Sequence, residues 1–217
     1  MVFNSNRDLI KSYQNTFTKF GNSPAAVQWP KGRQNLRFKL LTSHLDLKKK
    51  FSILDYGCGL GHLNKFLEEE GYIYDYLGVD IVPEFIKNIK KTNPKVKSRL
   101  IDSYEDLDDK FDNIIISGTF NIIVGKNKSE YLDYVKKTLL HLFKITKCSL
   151  AVNFLTDKVD FMQADSFHVN MFQMGKYISE NLSPRFLTNA SYMPYEFSLV
   201  VFKDCEIIRP ENIYRVY

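Results

Sequence analysis

The stretch Ile53 to Asn64, ILDYGCGLGHLN, constrains this chain more than any other. It reads as an apolar strand, an acid, three glycines at alternate positions, and the start of an amphipathic helix. Gly57 lets the chain turn sharply out of the strand. Gly59 carries no side chain to hold a ligand away from the backbone, and Gly61 lets helix pack closely on strand. A nicotinamide-dinucleotide loop reads G-x-G-x-x-G, but His62 stands where its last glycine would fall. The pyrophosphate of such a ligand also asks for an open helix N-terminus. The spacing therefore disfavours a dehydrogenase.

Helix and strand patterns alternate from residue 51 onward, the pattern of a parallel α/β sheet. Strands are predicted at 51–57, 73–80, 96–101, 111–117 and 148–154, with helices between them. Pro83 suits a first helical turn, and Asn93-Pro94 ends that helix. A helix is predicted over 167–182, its buried face marked by Phe167, Met171, Met174, Ile178 and Leu182. Strands near 185–192 and 196–202 are separated by so short a turn, Tyr192 to Tyr195, that they pair antiparallel. Before residue 51, helices are predicted over 8–20 and 33–47, the second with Leu36, Leu40, Leu41 and Leu45 on one face. The loop GNSPAAVQWPKG joins them. The expectation is one domain over 1–217: a helical cap, 1–50, above one edge of the site, and a Rossmann-like core, 51–217. The core is a doubly wound, seven-stranded sheet whose last strand is antiparallel.

At 217 residues the chain suits one α/β domain rather than two with a linker. Its 44% apolar and 25% charged residues are those of an ordinary globular protein. No apolar run approaches the roughly 18–20 residues of a membrane span, and the N-terminus lacks a signal-peptide layout. A cytoplasmic location is expected. Cys58, Cys148 and Cys205 are widely spaced and read as reduced thiols, and no C-x-x-C pair suggests a metal. A net charge of +5, in small clusters, is no dense basic stripe, so no nucleic-acid partner is expected.

Three further signals accompany the glycine loop. Asp80 ends the second strand nineteen positions beyond Gly61, and an acid about 20 positions on is where ribose hydroxyls are held. Ile81 would then pack on a base. Asp102 follows the third strand, placed to accept from an adenine amino group, with Ser103 as a second contact; both residue types also cap helices. Finally, SGTFN, Ser117 to Asn121, lies at the carboxyl end of the fourth strand, beside the crevice where α/β sheets bind ligands.

These stretches, in this order, resemble the class I S-adenosylmethionine-dependent methyltransferases. The resemblance implies S-adenosyl-L-methionine as cofactor and S-adenosyl-L-homocysteine (SAH) as product. A cofactor without phosphate, whose amino-acid end carries both signs, fits a loop with Asp55 beside Gly57, Cys58 and Gly59, and Ser117 and Gly118 across from it. The wider pattern is similar to a bacterial subfamily found in capsule and surface-polysaccharide clusters: SPAAVQW, Gln34-x-x-Arg37-Phe38, SGTFN, AVNFL and MPYEFSLVVF. From that likeness Arg37 is expected on the cofactor carboxylate, helped by Gln34, with Trp29 as a wall or a hydrophobic plug. The acceptor it implies is a small, anionic metabolite, such as a capsular sugar or its phosphoramidate group.

Methyl transfer from a sulfonium needs no metal; it needs an acceptor held in line and water kept out. An anionic oxygen needs no base, whereas a hydroxyl does. His168 is the candidate base. Tyr13, Phe120, Asn121, Asn153, Tyr192 and Tyr195 are candidate substrate contacts. A nucleobase enzyme would favour an Asn/Asp-Pro-Pro-aromatic stretch where SGTFN stands. The remaining alternative is a catalytically silent, cofactor-binding partner protein.

Overall fold

Strand follows helix from residue 51 onward because apolar runs bounded by Gly, Pro and Asn alternate with amphipathic stretches, and one sheet results. The computed structural model describes residues 5–28, 33–123 and 127–203. Trp29 and Cys205 lie outside them.

The elements are α1 (Ser5–Phe20), α2 (Gln34–Thr42), β1 (Phe51–Tyr56), α3 (His62–Glu69), β2 (Tyr74–Asp80) and α4 (Pro83–Thr92), then β3 (Ser98–Leu100) and β4 (Phe111–Ile116). They continue with α5 (Lys128–Ile145), β5 (Thr146–Thr156), β6 (His168–Val169), α6 (Met171–Asn181), β7 (Phe186–Asn189) and β8 (Glu196–Phe202). The strands lie in the order β3-β2-β1-β4-β5-β8-β7, and β6 also pairs with β5. The first five strands run parallel, while β8 is antiparallel to both β5 and β7. The strand order reverses between β1 and β4, and there a parallel sheet opens a crevice at its carboxyl edge.

Side chains alternate across each strand, so the sheet builds two cores. On one face Leu54, Ile114, Ile116, Leu150, Val152 and Leu199 pack beneath α5 and α6. On the other, Ile53, Ile115, Ala151 and Val200 meet Phe38 and Leu41 of α2 and Leu63, Phe66 and Leu67 of α3. Near-continuous apolar strands are what a sheet covered on both faces requires.

The sequence reading needs three corrections. The sheet has eight strands rather than seven, because His168–Val169 is a short strand. Phe167 and Val169 are buried while His168 and Asn170 are half-buried, an alternation that a helical stripe starting at Phe167 also fits. The helix begins only after Asn170, whose side-chain oxygen accepts from the Gln173 N–H at 3.0 Å. Second, α2 stops at Thr42, and its buried face is Arg37, Phe38, Leu41 and Thr42, with Leu36 40% exposed. Third, α2 is part of the layer on the sheet and not of a cap. α1 and the 3-10 turn Pro24–Val27 sit over the crevice side. They dock on α4: Tyr13 and Phe17 meet the Phe85 ring edge-on, and the Gln14 amide donates to the Glu84 carboxylate.

Leu41 is fully buried between α2 and the sheet. Leu41→Ala should lower the unfolding free energy by about 2–5 kcal/mol. Leu36→Ala, on the exposed face, should change it by less than about 0.5 kcal/mol. Urea denaturation of the two variants checks the assignment of α2 to the core.

Candidate active site

The crevice is a cavity of about 610 Å³ bordered by residues at one end of β2, β1, β4, β5 and β8. Five neighbouring strands at the usual spacing span roughly 19 Å. The volume lies within the range for a small-molecule site, and the shape is long enough for two ligands side by side.

At the β2 end stands Asp80. Its Oδ2 accepts from the Gly59 N–H at 2.8 Å and its Oδ1 from the Val82 N–H at 2.9 Å. Burial pushes this carboxyl up to about 6, although those backbone donors favour its charged form. Ile81, Val82, Phe85 and Ile101 make the wall beside it apolar. Between β1 and β4 the glycine loop is packed tightly. Gly57 has φ 76°, and a methyl group on it would lie 2.3 Å from Thr119 Oγ1. The Thr119 hydroxyl itself donates to the Tyr56 carbonyl at 2.9 Å.

Asp55 points to the other face of the sheet. Its carboxyl is buried, accepts from the Tyr76 hydroxyl at 2.6 Å, and is pushed up to about 7 by burial. With Gln34, Cys58, His62 and the glycine loop it lines a small side pocket of about 30 Å³. That pocket shares Gly57, Gly59 and Ser117 with the main cavity. Burial and the nearby carboxylates raise the Cys58 thiol well above its usual range.

At the β8 end a buried network closes the wall. Arg37 Nε donates to Glu196 Oε2 at 2.7 Å, and Arg37 Nη2 pairs with Glu196 Oε1. Glu196 Oε2 also accepts from Asn153 Nδ2 at 3.2 Å and from the Tyr192 hydroxyl at 3.4 Å. Asn153 Oδ1 in turn accepts from the Gly118 N–H at 2.7 Å. Roofing the far half is the segment after β5. Ile123 donates its N–H to the Asp165 carbonyl and Phe167 donates to the Asn121 carbonyl, both at 2.9 Å.

Of the residues singled out from sequence, Tyr13, Arg37, Gly57, Gly59, Asp80, Ile81, Ser117, Gly118, Phe120, Asn121, His168 and Tyr195 line the cavity. Gln34, Asp55 and Cys58 line the side pocket. Asn153 and Tyr192 stand behind the wall, on Glu196. Asp102 is exposed, and Ser103 caps the short turn Tyr104–Asp106 by accepting from the Glu105 N–H at 3.1 Å. Neither lines a pocket; Ile101, just before them, does. Sequence reasoning missed Glu196, read only as the start of a strand. It also missed the aromatic wall of Tyr56, Tyr131 and Tyr134.

Residues 54–148 match the family described as methyltransferase domain. The matched stretch runs from β1 into β5. A Mycobacterium tuberculosis protein named as a methyltransferase, Rv1506c, is 26% identical over 156 residues, covering 70% of this chain and 93% of that one. The cyclopropane-fatty-acyl-phospholipid synthase of Escherichia coli K12 is 31% identical over 107 residues. That match covers 49% of this chain and 28% of the synthase. Among solved structures, the magnesium protoporphyrin IX methyltransferase of Synechocystis PCC 6803 with bound SAH superposes with a TM-score of 0.62 at 13% identity, over 90% of this chain and 98% of that one. The plantazolicin methyltransferase BpumL, in complex with a triazolic desmethylPZN analog and SAH, gives 0.61 at 16% identity, over 91% and 95%. These likenesses show a shared fold. Among the described residues, no group of three or more His, Cys, Asp or Glu could hold a metal ion, and no helix is long and apolar enough to cross a membrane.

The two buried carboxyls, Asp55 and Asp80, hold protons that the unfolded chain has already lost above about pH 4. Their contribution to stability therefore falls as pH rises from 3.8 towards about 6 for Asp80 and about 7 for Asp55. Asp55→Asn should flatten the upper part of that decline in melting temperature against pH. Tyr76→Phe removes the hydroxyl that stabilises the charged form, so the Asp55 carboxyl should titrate higher still in carbon-detected NMR.

Proposed function

We propose that the cavity binds S-adenosylmethionine and that the chain transfers its methyl group to a small molecule. The observation that carries this reading is the buried Asp80 carboxylate at one end of a long cavity, next to a glycine loop, inside a methyltransferase domain. The donor set fits the cofactor. Asp80 faces the two ribose hydroxyls, and Ile81 and Ile101 give the adenine an apolar slot. Gly57, Cys58 and Gly59, with Ser117 and Gly118 opposite, cradle the methionine chain. Asp55, behind the loop, suits the ammonium group. Arg37 and Gln34 suit the carboxylate; Glu196 already holds the guanidinium in orientation, and Arg offers carboxylates a planar fork.

Bound there, the cofactor supplies an electrophilic methyl group on a sulfonium sulfur. The protein's task is to hold the acceptor in line and keep water out. The roof segment and α1 serve the second need. The acceptor occupies the half of the cavity under β5, β6 and β8. Cations do not dominate the cavity lining: Arg37 is paired with Glu196, and Arg33 is accompanied by Asp160 and Asp165. A capsular sugar therefore suits the site better than its phosphoramidate group, and a compact acceptor suits it better than a polymer.

Calorimetry should show binding of S-adenosylmethionine and SAH and none of NAD; the reverse pattern would overturn the reading. Asp80→Ala should weaken SAH binding by about 1.5–3 kcal/mol, the range for hydrogen bonds to a charged group, with the circular dichroism spectrum kept. The charged carboxylate is the form that accepts two hydroxyls. Affinity should accordingly fall as pH drops through about 6, and Asp80→Asn should remove that dependence.

A further inference from the structure

The acceptor half of the cavity contains polar groups that the cofactor reading leaves unused. Two of them lie on segments joined by a main-chain bond. The Phe167 N–H donates to the Asn121 carbonyl, so His168 is one residue from a main-chain bond to Asn121, and both side chains line the cavity. Beyond the end of β4, β6 takes the place beside β5, pairing His168 with Leu155. His168 therefore stands at the carboxyl end of the sheet, where the reacting atoms of an α/β enzyme lie.

Asn121 is 6% exposed, and neither its Oδ1 nor its Nδ2 has a hydrogen-bond partner. Buried carboxamides are almost always bonded, so an unpaired one on a residue that lines a cavity asks for a partner. On His168, Nδ1 lies 2.7 Å from the Thr156 carbonyl. A carbonyl oxygen only accepts, so Nδ1 carries a proton, and in the neutral form of the ring Nε2 is then the nitrogen with the lone pair. That Nε2 is buried and without a partner. This pair of side chains thus offers one donor and two acceptors. An anionic acceptor would find a lone pair and a carbonyl facing it. A hydroxyl would find a base, and a second hydroxyl beside it would match the donor and acceptor of the carboxamide.

Resting on the proposed function above, we propose that the acceptor is a neutral hydroxyl compound bearing an adjacent hydrogen-bonding group, held by Asn121 and deprotonated by His168 Nε2. As the hydroxyl oxygen forms its bond to the methyl group, the O–H bond breaks and its proton passes to Nε2. The sulfur–methyl bonding pair stays on sulfur, leaving a neutral thioether, and the imidazolium then returns its proton to solvent. An anionic oxygen would have no proton to give and no use for this base.

The test reads the imidazole directly. The protein is labelled with nitrogen-15 in its histidines, and the His168 signals are identified by their loss in His168→Gln. The expected spectrum, with or without SAH, has the proton on Nδ1 and none on Nε2. Glycerol, a minimal adjacent diol, should shift the His168 Nε2 signal and the Asn121 carboxamide signals in the SAH-bound protein, while inorganic phosphate should not. Asn121→Ala should reduce the glycerol shift at Nε2 at least threefold, with SAH affinity kept within twofold by calorimetry. A proton on Nε2, a response to phosphate instead of glycerol, or no response to glycerol would each overturn the proposal. Failure of SAH to bind would strike the cofactor reading alone, because the proton position is read without it.

Discussion

The carboxylate of Asp80 ties two loops together, and the binding edge of the sheet is built around that tie. One oxygen holds the Gly59 N–H and the other the Val82 N–H, so the turn after β1 and the turn after β2 share one anchor. The glycine loop could not otherwise keep its backbone against the crevice, because three of its residues sit at positive φ. The space is shared closely. A methyl group on Gly59 would come within 3.0 Å of Val27 in the turn that follows α1. Burial makes the charge on Asp80 costly, and the two N–H donors offset part of that cost. Asp80 is therefore a group poised to accept more hydrogen bonds.

The two-sided sheet makes such an edge possible. Alternate residues of β1 serve opposite cores, so Tyr56 faces α5 while Asp55 faces the layer of α2 and α3. Two neighbouring residues on one strand thus border two different pockets. At the other end of the cavity, β5 outruns β4 by several residues. The vacancy beside it is filled by β6, and that short pairing places His168 over the loop after β4.

The parts legible in the sequence were those written in local chemistry. The glycine spacing, the acid ending β2, Pro83 at a helix start and the short turn before β8 each act within a few residues, and each stands where the pattern put it. What escaped depends on distant partners. The sequence suggests a cofactor carboxylate for Arg37 and nothing local points to Glu196, yet Arg37 is 1% exposed and paired with that carboxylate, 159 positions away on β8. That buried arginine also displaces the apolar face of α2, leaving Leu36 outside. Strand β6 escaped because two residues are too few to establish a period against a helical stripe that begins beside them. Asp102 and Ser103 carried two readings at once; the turn is braced by Asp106, which accepts from both of their backbone N–H groups.

The long reach from Arg37 to Glu196 also orders events during synthesis. A chain growing from its amino end completes α2 long before Glu196 exists. A guanidinium buried without its carboxylate costs about 3–5 kcal/mol, so α2 cannot settle fully on the sheet in the unfinished chain. The edge of β5 stays open over the same interval, until β8 enters between β5 and β7 and supplies both the missing backbone partners and the missing charge. The wall of the cavity is therefore the last part to close, and a nascent chain or one cut short before β8 has no finished pocket.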